Sequence, residues 1–154
     1  MLVACHDKVR RFANLCLRLD EHVGSKGADA EAQQAATSIL RYFDVAAPLH
    51  HDDEELDLFP ALRTLNDATL TANMAALERE HEELGAFWRV VRPWLAAVAQ
   101  GELLARPPEL SAFAISYPAH ARREETEIYP AAVRLPPAKL AEIGAAMQQR
   151  RGQP

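Results

Sequence analysis

Two thirteen-residue segments carry the side chains of this chain that are best suited to chemistry. They read PLHHDDEELDLFP from Pro48 to Pro60 and PAHARREETEIYP from Pro118 to Pro130, and they share the pattern P-x-H-x-x-x-E-E-x-x-[L/I]-[F/Y]-P. In each segment a histidine precedes a glutamate by four residues, so on a helix both side chains lie on one face about one turn apart. Imidazoles and carboxylates together suit divalent first-row metals, and iron, manganese and zinc are all admissible.

The repeated pairs are His50 with Glu54 and His120 with Glu124. Two buried carboxylates from facing helices would repel each other at a cost of several kcal/mol unless a cation compensates them. We therefore interpret the repeat as a metal site that is built twice.

A second register exists in the first segment only, because His51 also has a glutamate, Glu55, four residues later. The second segment has alanine at position 121, so this register is not repeated. We expect His51 and Glu55 to be surface groups or hydrogen-bond partners of metal ligands, and Glu125 to behave as Glu55 does.

Apolar residues at intervals of three and four predict the helices that position these pairs. We expect one helix over residues 2–23, ended by Gly24, Ser25 and Gly27, and a second from the N-cap Asp29 to just beyond Pro60. A third begins near Asn66 or Asp67 and is kinked at Pro93, a fourth runs from Leu110 to Ile128, and a short fifth covers about residues 138–150, where Leu140, Ile143 and Met147 pack on the others. No strand pattern is present. The predicted fold is all-α, an antiparallel up-down-up-down four-helix bundle with a short C-terminal helix, forming a single domain over residues 1–154.

This bundle brings further histidines to the site. The start of the first helix lies beside the end of the second, so His6 can reach the first pair, whereas His22 lies about 24 Å further along the axis and is expected to be a helix-end cation. His81 lies between Leu77 and Leu84 on the inward stripe of the third helix. The predicted metal ligands are therefore His6, His50, Glu54, His81, His120 and Glu124.

Composition limits the remaining possibilities. The chain has 49% hydrophobic and 25% charged residues, and its 22 acidic residues outnumber its 17 basic ones. This balance is ordinary for a soluble globular protein and argues against nucleic-acid binding. Charges begin at Asp7, so neither a signal peptide nor a membrane span is predicted and a cytoplasmic location is expected. Cys5 and Cys16 lie about 16 Å apart on one predicted helix, too far for a disulfide, and are expected to be reduced thiols.

The combination of the early His6 with HHDDEELDLFP, REHEEL and HARREETEIYP resembles the hemerythrin-like HHE cation-binding domain family over residues 3–132. The resemblance implies a non-haem di-iron centre, for which zinc or manganese could substitute. It implies that His6 and His50 serve one iron, that His81 and His120 serve the other, and that Glu54 and Glu124 bridge them.

One departure concerns the third helix, where oxygen-carrying hemerythrins typically present H-x-x-x-H. Here the residue four before His81 is Leu77, so the fifth histidine of those carriers is missing. The set of four histidines and two glutamates is more similar to the di-iron domain of the bacterial iron-sulfur cluster repair proteins implicated in nitric oxide stress. Those proteins usually carry an additional N-terminal domain with cysteines, so their role does not transfer with the fold.

Such a centre leaves coordination positions for an oxo or hydroxo bridge and for a small ligand. We expect a protein that binds or senses O2 or NO. The alternatives are an enzyme that acts on NO or peroxide or donates iron in cluster repair, and a structural or metal-handling site. Phe59 and Tyr129 end the two segments and are expected to fill the core, with a phenol acting near the metal as the alternative for Tyr129. Pro48 and Pro118 are expected either to be tolerated kinks or to loosen the helix and aim the histidine that follows.

Overall fold

A computed structural model describes residues 2–152, and within them the chain is helical with no strand. Helix α1 is Leu2–Lys26, and α3 is Ala68–Ala99. Helix α2 covers residues 30–63 as the α-helical pieces Ala30–Arg41, Ala47–Asp52 and Phe59–Arg63, joined by the π-helical turns Tyr42–Ala46 and Asp53–Leu58. Helix α4 covers residues 109–128 as Glu109–Arg123 and the π-helical turn Glu124–Ile128, and is followed by the 3₁₀ segment Tyr129–Arg134. Helix α5 is Pro137–Gly152.

The four long helices pack as a ring, in which α1 contacts α2 and α4, and α3 contacts the same two helices. This arrangement confirms the predicted helical bundle. The predicted limits of a single domain, residues 1 and 154, lie outside the described residues.

Two apolar clusters fill the bundle, one on each side of a polar layer. The larger contains Leu19, Ile39, Phe43, Leu95 and Phe113, and the smaller contains Phe59, Leu62, Met74, Leu77 and Ile128. The histidines and glutamates of the two repeated segments form the buried polar layer between them. Burial of apolar surface on both sides thus holds the four helices at the spacing that this layer requires.

Helix ends follow the expected capping chemistry, with one correction. The carboxylates of Asp29 and Asp67 accept hydrogen bonds from the amides of Ala32 and Leu70, at 2.9 and 3.0 Å, as N-caps do. The prediction that Gly24 and Ser25 end α1 is wrong, because the helix continues to Lys26. Of Gly24, Ser25 and Gly27, Gly27 alone takes the left-handed conformation that closes a helix, with φ of 73°.

Prolines disturb α2 and α4 mainly at the ends of the repeated segments. The rings of Pro60 and Pro130 would clash with a regular preceding helical turn. Two residues before each proline, the chain completes a π-helical turn instead, Asp53–Leu58 before Pro60 and Glu124–Ile128 before Pro130. In these turns the amides of Phe59 and Tyr129 bond to the carbonyls of Glu54 and Glu124, five residues back.

The proline near the start of each segment behaves differently in the two copies. Pro48 follows a π-helical turn, Tyr42–Ala46, whereas Pro118 lies inside the regular helix Glu109–Arg123. The expectation that the first proline of each segment loosens the helix thus matches only the first copy.

Helix α5 closes the end of the smaller cluster. Ile143 and Met147 are buried there, but Leu140, which was expected to pack with them, is 39% exposed. Arg150 and Arg151 of α5 both pair with the fully buried carboxylate of Asp53, which adjoins Glu54 on α2. No helix within residues 2–152 is long and apolar enough to cross a membrane.

Candidate metal centre

All four helices of the ring contribute to one buried cluster of imidazoles and carboxylates. His6 comes from α1 and His81 from α3, while α2 and α4 each contribute one pair from the repeated segments. All six side chains predicted as ligands therefore meet, each no more than 7% exposed: His6, His50, Glu54, His81, His120 and Glu124.

On one side of the cluster lie His6 and His50, whose Nε2 atoms are 2.9 Å apart. Glu124 Oε2 lies 3.0 Å from His6 Nε2, and Glu54 Oε1 lies 3.7 Å from His50 Nε2. These four residues each offer a ligand atom within 4.8 Å of the others. This half of the cluster thus contains two nitrogens and one oxygen from each carboxylate.

On the other side lie His81 and His120, with ring centroids 4.6 Å apart. Glu124 Oε1 is 2.8 Å from His120 Nε2 and 3.3 Å from His81 Nε2. Glu54 Oε2 is 3.5 Å from His81 Nε2. Each carboxylate therefore directs one oxygen to each half, which is the geometry of a bridging ligand.

Several of these close contacts are not hydrogen bonds of good geometry. Glu54 Oε2, Glu124 Oε2 and His120 Nε2 are buried without a hydrogen-bond partner, although each lies within 3.5 Å of a neighbouring polar atom. A buried polar atom without a partner costs about 1–3 kcal/mol. A cation in each half would satisfy these atoms, Glu124 Oε2 in the half with His6 and Glu54 Oε2 and His120 Nε2 in the half with His81, so the residues fit metal ions.

The two central carboxyl groups have opposite protonation preferences. Burial, followed by the charge of Glu124, raises the pKa of Glu54 well above its usual range. Burial also opposes ionisation of Glu124, but the neighbouring imidazoles of His120, His6 and His81 outweigh it and hold its pKa well below the usual range. In the metal-free protein these opposite shifts favour a proton on Glu54 over one on Glu124, and a bound cation would displace it.

Three of the four histidines are each oriented by a different glutamate that lies outside the cluster. The Nδ1 atoms of His6, His81 and His120 donate to Glu125, Glu55 and Glu80, at 2.9, 2.6 and 2.8 Å respectively. A proton fixed on Nδ1 leaves the Nε2 lone pair facing inward, where a metal would need it. Glu55 and Glu125 are therefore hydrogen-bond partners of candidate ligands, one of the two roles expected for them.

Glu80 is a functional residue that the sequence pattern did not single out. It also accepts a hydrogen bond from Arg123 of α4. Burial lowers the pKa of His120, but the neighbouring carboxylates of Glu124 and Glu80 outweigh burial and raise it. The one feature of the sequence that could have indicated this role is the position of Glu80 directly before His81. Glu82 and Glu83 follow closely, so Glu80 could not be distinguished from a solvent-exposed acidic residue.

His50 and His51 lack such a carboxylate partner. His50 Nδ1 has no hydrogen-bond partner among the described residues, and burial lowers the pKa of His50 to about 3. The half-buried His51 stacks on His81, with ring centroids 3.9 Å apart and planes 13° apart. A metal lies in the plane of each imidazole that binds it, so these parallel rings do not share one ion, although the nitrogens of His51, His81 and His120 are close. His51 therefore borders the site.

Phe59 and Tyr129, each directly before the last proline of its segment, also differ in their contacts. Tyr129 donates its phenolic hydrogen to Glu54 Oε1, and its oxygen lies 3.1 Å from His6 Nε2. Phe59 stacks at 6.4 Å from the His81 ring and offers no polar atom. The core-filling role expected for both thus describes Phe59, while Tyr129 places its hydroxyl within the polar cluster.

The other singled-out residues lie apart from this cluster. His22 Nε2 contacts Asp29 Oδ1 at 2.8 Å, at the turn between α1 and α2. Leu77 is fully buried in the smaller apolar cluster. Cys5 and Cys16 are both free thiols.

A helical bundle that gathers buried histidines and glutamates from four helices defines a cation-binding domain. The family model of the hemerythrin HHE cation-binding domain matches residues 1–132, and the chain belongs to this family. A similar protein is an uncharacterized protein of Haemophilus influenzae (strain ATCC 51907 / DSM 11121 / KW20 / Rd), 42% identical over 91 residues. That match covers 59% of this chain and 52% of the relative, so the chain spans about half the length of the relative it matches.

Proposed function

We propose that this protein holds a non-haem di-iron centre and uses it to bind or sense a small ligand such as O2 or NO. Its ligands are His6, His50, Glu54, His81, His120 and Glu124. Membership of the HHE family supports a bound cation. The proposal adds to this that the cation is iron, that two ions are bound, and that the centre takes a small ligand.

The observation that carries the proposal is the division of each carboxylate between the two histidine pairs. Glu124 has one oxygen 3.0 Å from His6 Nε2 and the other 2.8 Å from His120 Nε2. Glu54 is divided in the same sense, with its oxygens 3.7 Å from His50 Nε2 and 3.5 Å from His81 Nε2. A single ion would use one oxygen of each carboxylate and one histidine pair. The symmetric division favours two ions bridged by both carboxylates.

Iron supplies a redox-active Lewis acid that takes five or six ligands, more than the two imidazoles and two carboxylate oxygens available to each ion. The chain fixes the imidazole tautomers through Glu125, Glu55 and Glu80, and it keeps both carboxylates out of water. These residues hold the donors in place, and the number of donors leaves coordination positions for an additional small ligand.

Leu77 argues against reversible oxygen carriage of the hemerythrin type. It favours a centre that senses a small ligand or binds it in another way. It lies one turn before His81 on α3 and is fully buried against apolar neighbours. An oxygen carrier of the hemerythrin type is expected to have a histidine there. The centre proposed here is accordingly poorer in imidazole and richer in open positions.

The test is an anaerobic titration of the reduced, iron-loaded protein with O2 and, separately, with NO, followed by visible absorption. We expect a new charge-transfer band that reverses when the gas is removed. Leu77→His is the matched variant, and we expect it to hold O2 more tightly if the missing imidazole sets the difference from oxygen carriers.

The outcomes separate the functional classes. Catalytic consumption of NO or peroxide would instead identify an enzyme. Iron loading with no spectral response to either gas would contradict the proposed ligand role and favour a structural or metal-handling site.

A further inference from the structure

Tyr129 is the one hydroxyl-bearing side chain whose oxygen reaches the polar cluster within residues 2–152. Its oxygen lies 3.1 Å from His6 Nε2 and contacts Glu54 Oε1. Both of these atoms belong to the half of the cluster that contains His6 and His50. The phenol therefore touches one proposed iron position and not the other.

The spacing of these atoms is that of donors around one ion. Donors about 2.1 Å from an ion in octahedral geometry lie about 3 Å from their neighbours in the coordination shell. Around His6 Nε2 the distances are 2.9 Å to His50 Nε2, 3.0 Å to Glu124 Oε2 and 3.1 Å to the phenolic oxygen of Tyr129. The phenol thus occupies the same kind of position as the proposed ligands.

The backbone at Tyr129 differs from that at Phe59, although both residues follow a π-helical turn. The chain after Phe59 resumes an α-helix, whereas the chain from Tyr129 continues as a 3₁₀ segment, and Ile128 before it has φ of −117°. The Tyr129 ring lies parallel to the His6 ring, 5.3 Å away, as the Phe59 ring does to the His81 ring, 6.4 Å away. The hydroxyl is therefore what distinguishes Tyr129 at this position.

We propose that Tyr129 coordinates the iron held by His6 and His50 as a phenolate, an inference that rests on the di-iron function proposed above. On coordination the phenolic O–H bond breaks, its proton passes to solvent, and an oxygen–iron bond forms without change of oxidation state. The first iron then has five protein donors, against four for the iron held by His81 and His120. The iron held by His81 and His120 would then have more positions open to the small ligand.

The test is resonance Raman spectroscopy of the protein loaded with iron and oxidised to the ferric state. Phenolate bound to iron(III) gives a visible charge-transfer band, and excitation within that band enhances tyrosine ring vibrations. We expect these signals in the native protein and their loss in Tyr129→Phe, which should keep both irons. Tyr117→Phe is the matched control, because Tyr117 is also buried but stacks near His51, and it should leave the band unchanged.

Proton release gives a second measurement. Ferric loading of the native protein should release one more proton per chain than loading of Tyr129→Phe, in weakly buffered solution.

A native protein that holds two irons but lacks enhanced tyrosine vibrations would overturn this inference while leaving the di-iron function intact. The native spectrum decides this even if Tyr129→Phe folds poorly. A native protein that does not bind two irons would refute the proposed function, and this inference with it.

Discussion

The two repeated segments provide the same pair of candidate ligands, yet several of the contacts around those pairs differ. Burial raises the pKa of Glu54 in the first copy, whereas three neighbouring histidines hold the pKa of Glu124 in the second copy below its usual range. His120 has a carboxylate partner in Glu80, whereas the Nδ1 atom of His50 has none among the described residues. The comparison indicates that a repeated motif specifies the donors, while its neighbours make the two halves chemically unequal.

The equivalent positions 53 and 123 also differ between the two segments, because one carries an acidic residue and the other a basic one. Asp53 is fully buried and pairs with Arg150 and Arg151 of α5. Arg123 pairs with Glu80 of α3 and with Glu127 on its own helix. The first half of the site is therefore held by the C-terminal helix, and the second by the bundle itself.

The largest expected effect is a difference in stability between variants of the two central glutamates in the metal-free protein. Glu124→Gln removes a buried charge from three histidines and should lower the free energy of unfolding by about 3 kcal/mol. Glu54→Gln replaces a group that is already neutral, so it should change that free energy by less than about 1 kcal/mol. Urea denaturation of the metal-free variants at neutral pH measures both. Equal losses in the two variants would show that the halves are electrostatically alike.

The outer glutamates should affect metal affinity next most strongly. Glu80→Gln and Glu125→Gln remove carboxylates that orient His120 and His6, and each should weaken iron binding about 10- to 100-fold. Competition with a chromophoric chelator measures the change. Glu82→Gln is the matched control, because Glu82 is exposed and adjoins His81 without orienting it. If Glu82→Gln weakens binding as much, net charge rather than orientation is responsible.

Stability of the metal-free protein should depend on pH through Glu54. Its pKa is raised on folding, so its contribution is fully present below the unfolded value of about 4.3 and is lost as pH rises towards the folded pKa. Glu124 acts oppositely, because its lowered pKa makes its contribution disappear as pH falls. The loss attributable to Glu54 is at most about 1.4 kcal/mol per pH unit.

Glu54→Gln should therefore flatten the decline in stability above that pH, while Glu124→Gln should remove the decline on the acid side. Denaturant midpoints recorded across the pH range measure both slopes. A native profile indistinguishable from that of Glu54→Gln would contradict the assignment of the retained proton to Glu54.

The smallest effect concerns the attachment of α5 to the first half. Arg150→Gln removes one of the two arginines on Asp53 and should lower the free energy of unfolding by about 1 kcal/mol, since Arg151 still pairs with that carboxylate. Lys139→Gln breaks an exposed pair with Glu142 and should cost less than about 0.5 kcal/mol. Thermal denaturation of both variants tests the difference, and a larger loss in Lys139→Gln would argue against the anchoring role of Asp53.

Much of the fold was predictable because local signals agreed with it. Asp29 and Asp67 cap α2 and α3 as their sequence positions indicated, and the apolar spacing of the long helices matches the observed core. The end of α1 was misassigned because Gly24 remains helical and only Gly27 needs positive φ. That choice depends on the path of the following chain, which local composition does not encode.

The six candidate ligands could be predicted from the sequence, but not every residue that surrounds and orients them could be. Four-residue spacing and helix order select the six donors from the sequence. The roles of Glu80 and Tyr129 depend on which residues of neighbouring helices lie opposite them. Such cross-helix contacts have no periodic signature, so the sequence did not predict Glu80 and offered the phenol of Tyr129 near the metal only as an alternative.

The most direct test of the central claim is the iron content of the native protein and of the double variant Glu54→Ala/Glu124→Ala after identical anaerobic loading. We predict about two iron ions per native chain and the loss of at least one in the double variant, because both bridging carboxylates are gone. Circular dichroism of the variant checks that it remains helical. Full iron loading of a folded double variant would contradict a centre bridged by these two glutamates.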